Sequence, residues 1–417
     1  MPPLEQRSGI FRLPPEILLQ ILQDLNDMSL WSRYNYSNRE RQRDLAACAL
    51  VNTFFQPPAQ SLLYRVLAPA NPGRASLLLE TLQQRPELAG MTRTLLWSER
   101  ISDRRQLFAD FLDILPNLQG LDLDLNRPGS HRDAVDYFQY LGAQDTPVVD
   151  HLDSFVLKCK HGDEVDEHNL SLVLRRMVRL KSLAIVNLAN LNRPEWEVPV
   201  DYQLDSFVLS FSFTRTTNLS WLLGNTNCLR HLSLDLCFIL DMSSDLPAAH
   251  NALLSAHCST LVSLKYTVTR LQSFSDHAWQ LEDTTVARTF TAQVFQHVFP
   301  RLVDLHYGCR PGSLDLIDLP FRRLQAQYLS TLKLQVQESG ARSSPYMAPL
   351  SHEVSVAFTQ TAQEDSKEGL LHLLQESGSW PYMRQISVQG VSASSRKLHS
   401  LRQVCQDRDI IFKLLAP

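Results

Sequence analysis

Two spacings of apolar residues divide the chain. From Ile17 to Leu67 they recur at three and four residues: Ile17, Leu18, Ile21, Leu22 and Leu25, then Leu45, Cys48, Ala49, Val51, Phe54 and Phe55, then Leu62, Leu63, Tyr64, Val66 and Leu67. A period near 3.6 predicts three short amphipathic helices. Proline is tolerated only in a first helical turn, so Pro14 and Pro15 set the start of the first helix, and Pro57 and Pro58 open the third. Leu13 is placed to fold back on Ile17 or Leu18 as a hydrophobic staple. Asp44 stands at the N-cap of the second helix. The stretch from Asn26 to Arg43 has no apolar period and predicts an exposed loop. Three helices this short carry more apolar surface than they can bury among themselves.

Beyond about Leu77 the period shortens to two within a recurring L-x-x-L-x-L unit. It reads LQGLDL at Leu118, LDSFVL at Leu152, LKSLAI at Leu180 and LDSFVL again at Leu204. LRHLSL at Leu229, LVSLKY at Leu261, LVDLHY at Leu302, LSTLKL at Leu329 and a weaker MRQISV at Met383 continue it. Alternation predicts a short strand in each unit. The intervening segments NLSLVLRRMVRL, NLSWLLGNTNCL and TAQVFQHVFPRL keep an apolar stripe and predict helices. The final DIIFKLLAP predicts a terminal strand and cap.

A strand and a helix in repetition is the leucine-rich-repeat unit, and Asn126, Cys237 and Ile239 fall where its N/C and following aliphatic positions belong. Spacings run from 24 residues (Leu180 to Leu204) to 54 (Leu329 to Met383), so the repeat is irregular. The competing expectation is an ordinary doubly wound α/β domain, which also alternates strands with helices. Glu338 to His352 and Thr359 to Gly369 are polar and turn-rich and predict a flexible excursion near 338–369.

The N-terminal pattern resembles the F-box. The resemblance is carried by Leu13, Pro14, Glu16, Ile17, Leu18, Ile21 and Leu25, by Asp44, Leu45, Ala49 and Val51, and by the tail PPAQSLLYRVL, which looks like the ending of fungal F-box proteins. Two departures stand beside it: the long Asn26 to Arg43 connection, and Phe54 and Phe55 near the place of the family's frequent tryptophan. The architecture expected is therefore α/β, a three-helix F-box over residues 10–67 followed by an irregular leucine-rich-repeat solenoid of parallel strands and helices over 77–417. The resemblance implies a substrate receptor of an SCF-type cullin-RING ubiquitin ligase, with no catalytic residue of its own. Its partners would be a Skp-family adaptor, a cullin scaffold and a target protein. Leu13, Pro14, Ile17, Leu18, Ile21, Leu25, Leu45 and Val51 are the expected adaptor contacts. A scaffold that binds an adaptor without directing ubiquitin transfer is the alternative that the sequence leaves open.

Composition narrows the rest. The 417 residues carry 40 basic and 44 acidic side chains, a formal charge of -4, which gives no broad electrostatic reason to expect nucleic acid or an anionic membrane. The opening MPPLEQRSG lacks the pattern of a secretory signal, and no apolar run approaches the roughly 20 residues that span a bilayer. A soluble intracellular protein, cytoplasmic or nuclear, is expected. Seven scattered cysteines with no C-x-x-C pair signal neither a disulfide framework nor a zinc site. HGDEVDEH at His161 to His168 is the densest group of metal-ligand types, but it matches no EF-hand loop and no H-E-x-x-H, and it reads as a solvated turn. No cofactor is expected, since no G-x-G-x-x-G or P-loop follows any strand. In a repeat array, function sits on the strand surface at the non-leucine positions. Asp122, Asp124, Lys158, Asp235, Lys265, Tyr266, His306, Tyr307 and Lys333 are the candidates for target contact.

Overall fold

The computed structural model describes residues 14–26, 38–51, 54–69, 71–98, 105–125, 131–143, 146–159, 167–186, 202–212, 223, 226–238, 246–270, 296–309, 324–336, 374, 380–389 and 396–415. Leu13, residues 161–166, Asn126, Ile239 and the excursion at 338–369 lie outside them. The chain forms two compact units, Met1–Val156 and Leu157–Pro417.

The first unit opens with helices α1 (Pro15–Asn26), α2 (Asn38–Val51) and α3 (Gln56–Arg65). Pro15 starts α1 as expected, with the Ile17 and Leu18 amides both donating to the Pro14 carbonyl at 3.0 and 3.1 Å. Two boundaries differ from expectation. The second helix begins at Asn38, so Asp44 lies inside it rather than at its N-cap, and Asn38 to Arg43 is helix rather than loop. NRERQR contains good helix formers but no apolar stripe, and periodicity is blind to such a turn. Val66 and Leu67 leave the third helix to form strand β1 (Val66–Leu67). The helical module therefore runs into sheet without a linker.

Strands β2 (Thr94–Ser98) and β3 (Gly120–Leu125) follow, with helices α4 (Pro72–Gln84), α5 (Pro86–Met91), α6 (Arg105–Ile114) and α7 (His131–Gly142) between and after them. β1, β2 and β3 pair parallel in chain order. β2 escaped the leucine pattern because Thr92 and Trp97 occupy its first and sixth positions. Both are buried, and the Thr92 hydroxyl finds its acceptor in the Tyr64 carbonyl at 3.1 Å. Trp97 packs on Phe108 and Phe111 with ring centroids 5.2 and 5.7 Å away.

The division between units falls within β4 (Ser154–Cys159). The second unit continues with α8 (Glu167–Arg176), β5 (Ser182–Val186), β6 (Ser206–Ser212), β7 (His231–Phe238), α9 (Leu246–His257) and β8 (Ser263–Arg270). It ends with β9 (Asp304–Cys309), β10 (Thr331–Val336), β11 (Gln385–Gln389), α10 (Arg396–Asp407) and β12 (Ile411–Leu415). From β5 to β12 each strand pairs parallel with the next in sequence. A doubly wound sheet reverses its strand order at a switch point; this one does not, which decides for the repeat-like array. Gln296 to Arg301, expected as the end of a helix, is turn and bridge, because Val298 pairs with Gln325.

Each strand starts at the third position of its leucine unit, and one hydrogen-bond motif repeats with it. The carbonyl of the second position accepts from the amides of the second and third positions of the next unit. Asp205 O accepts from Arg230 and His231, Arg230 O from Val262 and Ser263, and Val303 O from Ser330 and Thr331, all between 2.8 and 3.0 Å. The first, fourth and sixth positions then point into the core, as the 0–2% exposure of Leu229, Leu232, Leu234, Leu261 and Leu264 shows. Satisfying these amides holds the register, since a buried unpaired N–H costs about as much as a lost hydrogen bond.

Side chains complete the satisfaction in places. The Leu204 amide donates to Thr226 Oγ1 at 3.0 Å in a buried position. Thr226→Val should lower stability by about 1–3 kcal/mol through the stranded amide. The measurement is the urea midpoint, which should fall with the slope unchanged.

Candidate functional site

The helical module has a closed core of its own. Leu18, Leu22, Leu45, Ala59 and Leu62 form it, with Leu19, Cys48, Ala49, Phe54, Phe55 and Leu63 packed around. Phe54 and Phe55 meet edge to face at 5.7 Å. This core corrects two expected adaptor contacts. Leu18 and Leu45 are 3% and 1% exposed and hold the module together, so they are not available to a partner.

The neighbouring stripe is open. Ile17 and Ile21, one turn apart on α1, are 44% and 47% exposed, and at the end of α2 Leu50 and Val51 are 87% and 66% exposed. Residue i+1 on a helix is rotated about 100° from residue i, so one helix can offer one stripe to its own core and the next to something else. Pro14 is exposed at the helix entry. Of Leu25 only the helical backbone is described. Leu50, absent from the expected contacts, is the most exposed of these apolar residues; the sequence signal for it was its place beside Val51.

On the repeat strands the expected surface residues separate by parity. Tyr266 and Tyr307 were expected to face out, but both are fully buried and stack in register with centroids 6.2 Å apart and planes 9° from parallel. The correction has a simple cause: each fills the sixth position of its unit, which alternation turns inward. Asp122 takes an outward position yet is 3% exposed. Asp124 and Lys158 are half-buried, and of Asp235 only the strand backbone is described.

Lys265, His306 and Lys333 do come together. They occupy the fifth position of successive units and pair in register across β8, β9 and β10. Ser233 on β7 continues the row on one side, and Ser387 on β11 and Lys413 on β12 continue it on the other. Burial, and then the Lys265 ammonium nearby, lower the pKa of Lys333 from the ordinary lysine value.

Three further observations concern candidate chemistry. Among the described residues no group of three or more metal-ligating side chains converges, and within HGDEVDEH only Glu167 and His168 are described, as the start of α8. Cys48, Cys159, Cys228, Cys258 and Cys405 form no disulfide among the described residues, and burial pushes Cys405 up to about 11, so it is protonated at neutral pH. His257 closes α9, is buried, has no partner for Nδ1 among the described residues, and is held below the usual histidine pKa by desolvation.

A buried neutral histidine binds fewer protons folded than unfolded, so its contribution is complete above the unfolded value near 6.5 and is lost as pH falls below it. Thermal stability of the protein should therefore drop on acidification through pH 6, and His257→Leu should flatten that drop. Parallel pH profiles of the two proteins would contradict this.

No protein-family model matches the chain, and no curated protein matches it significantly. Among solved structures, the crystal structure of the Rad7 and Elc1 complex in yeast is similar over 96% of this chain and 86% of that chain, at 13% identity and a TM-score of 0.45. Among the described residues no helix is long and apolar enough to cross a membrane.

Proposed function

We propose that the protein is a substrate receptor of an SCF-type cullin-RING ubiquitin ligase. In this reading α1 to α3 dock on a Skp-family adaptor, the adaptor joins a cullin, and the outer face of the repeat strands holds a target protein. The observation that supports it is the pairing of a satisfied core with an open apolar stripe in one small module: Leu18 and Leu22 are buried while Ile17 and Ile21 stay exposed. Exposed aliphatics in that arrangement, in a segment that resembles the F-box, are what a helical partner would cover. The repeat region contributes position rather than chemistry, since holding a target beside a charged conjugating enzyme accelerates transfer by proximity.

The test is co-expression of the full chain with a Skp-family adaptor and a cullin, followed by affinity recovery. Recovery of both partners supports the receptor. Recovery of the adaptor without the cullin favours the scaffold, and recovery of neither overturns adaptor docking.

A further inference from the structure

A tight turn recurs where the chain enters strands of the second unit. The carbonyls of Met177, Phe299, Ala326 and Trp380 accept from the amides of Leu180, Leu302, Leu329 and Met383, between 2.9 and 3.4 Å. The residue just before each of those amides faces solvent. In two of the turns it is an exposed arginine, Arg179 or Arg301, as solvation favours. In the other two it is Tyr328 and Tyr382, 45% and 52% exposed. These stand three residues before Thr331 and Gln385, which pair in register, so the tyrosines are neighbours on adjacent units. Their rings stack with centroids 5.4 Å apart and planes 29° from parallel. Neither phenol has a hydrogen-bond partner among the described residues.

A second observation is independent of exposure. Trp380, which opens the turn carrying Tyr382, has a φ of 48°. Left-handed backbone is an outlier for so bulky a residue, and such strain persists only where surrounding contacts impose it; it concentrates at functional sites. Trp380 is 7% exposed, so its buried ring anchors the strained residue while the turn carries Tyr382 out beside Tyr328. Phe299 and Ala326 open the equivalent turns without positive φ. The stacked rings also fix one another, which leaves little side-chain freedom to lose when a ligand lands on them.

We propose that Tyr328 and Tyr382 form a docking platform for a proline-rich, extended segment of a partner protein that carries an acidic residue beside its prolines. A polyproline II segment has no internal hydrogen bonds and leaves its carbonyls open. It is recognised by aromatic faces on which prolines pack, and tyrosine hydroxyls can donate to its carbonyls. Other recurring modes do not suit this place. Strand addition needs an open sheet edge, and β9, β10 and β11 are paired on both sides. A helix needs anchors spread along a groove, whereas two stacked rings give one short platform. Stacked bases need a basic track for their phosphates, and Asp304, Asp407 and Asp409 are exposed close by in sequence or on the neighbouring unit. Charge supplies the acidic residue: Arg301 on the adjoining turn and Arg384, two residues after Tyr382, are exposed and have no ion-pair partner among the described residues. The site lies on turns rather than on the outer strand face and involves no adaptor, so it stands or falls apart from the receptor reading.

The experiment is fluorescence anisotropy with the full chain and a labelled oligoproline peptide bearing a glutamate at each end. The comparisons are the same peptide with lysines at its ends, a serine-glycine peptide with the same glutamates, and a single-stranded oligothymidylate. The glutamate-ended oligoproline should bind saturably and more tightly than the other three. Tyr328→Ala with Tyr382→Ala should weaken it by at least about tenfold, as loss of an aromatic anchor does at other interfaces. Tyr382→Phe should keep most of the affinity, because the ring face remains. Arg301→Glu should weaken the glutamate-ended peptide and spare the lysine-ended one. Both tyrosines are half exposed, so the variants should keep the melting curve of the parent protein. Absence of saturable oligoproline binding, binding unchanged in the double tyrosine variant, equal binding of the serine-glycine or lysine-ended peptide, or tighter binding of the oligothymidylate would each overturn the assignment.

Discussion

Replacing Ile17 and Ile21 together by aspartate should leave the helical module folded and abolish its capture of a Skp-family adaptor. Both side chains are nearly half exposed in the free protein and lie outside the module's core cluster, so the substitutions disturb internal packing less than a change at Leu18 would. In a docked complex each isoleucine would bury the roughly half of its side chain that is still exposed, about 0.7–1.5 kcal/mol, and their joint loss of roughly 1.5–3 kcal/mol corresponds to about tenfold to a hundredfold in affinity. Placing two carboxylates in an apolar contact adds a desolvation cost to that loss. The measurement is adaptor recovery from co-expression, with circular dichroism of the variant as the folding control. Wild-type recovery would remove the α1 stripe from the docking surface.

Leu18→Ala makes the contrasting case. Leu18 lies in the module core with Leu22, Leu45, Ala59 and Leu62, and its truncation costs about 2–5 kcal/mol of folding free energy. Any loss of adaptor capture in that variant reports unfolding rather than contact. The two stripes of α1 thus separate the proposed docking surface from the core by a rotation of one residue.

The largest expected loss of stability lies at Trp97. It is 1% exposed, packs on Phe108 and Phe111, and donates from Nε1 to the Tyr137 hydroxyl at 3.3 Å. Phe108 in turn meets Tyr137 edge to face at 5.1 Å, so one indole joins β2, α6 and α7. Trp97→Ala should cost about 3–5 kcal/mol, from lost transfer energy and from a cavity that aromatic neighbours cannot readily close. Against the 5–15 kcal/mol that typically holds a domain, this is a large fraction. Thermal and urea unfolding should show the early loss of the first unit, with Trp97→Phe intermediate. A melting curve like that of the wild type would mean that the aromatic cluster is not the centre of that unit.

Much of the architecture was legible because its signals are local. The alternation within LDSFVL or LRHLSL predicts a strand wherever it occurs, and the structure places a strand at the third position of each such unit. The double proline before Glu16 marks a helix start for reasons confined to its own backbone. Local signals failed where the residue type departed from the pattern while the geometry did not. Thr92 and Trp97 hide β2, and Tyr266 and Tyr307 carry polar hydroxyls that suggest the surface although their position in the unit turns them inward. NRERQR hid the first turns of α2 because a fully polar helix has no stripe.

The candidate sites were legible only in part. The stripe Ile17, Leu18, Ile21, Leu22 is apolar throughout, and nothing in its spacing says which half meets α2 and α3. In the sequence Lys265, His306 and Lys333 stand one at a time, as outward positions in units separated by 41 and 27 residues (Leu261 to Leu302, Leu302 to Leu329). Their assembly into a row depends on a register that connections of such unequal length do not reveal.

The sequence by itself determined the kinds of element and their order, since helix and strand periods, proline boundaries and the leucine unit act over a few residues of chain. The tertiary structure alone decided which of two equally apolar stripes on α1 stays exposed, and which polar residues become neighbours across β7 to β10. Both are questions of what packs against what between segments distant in sequence. Burial and interstrand hydrogen bonding answer them through the sum of many contacts, and no single stretch of the chain contains that sum.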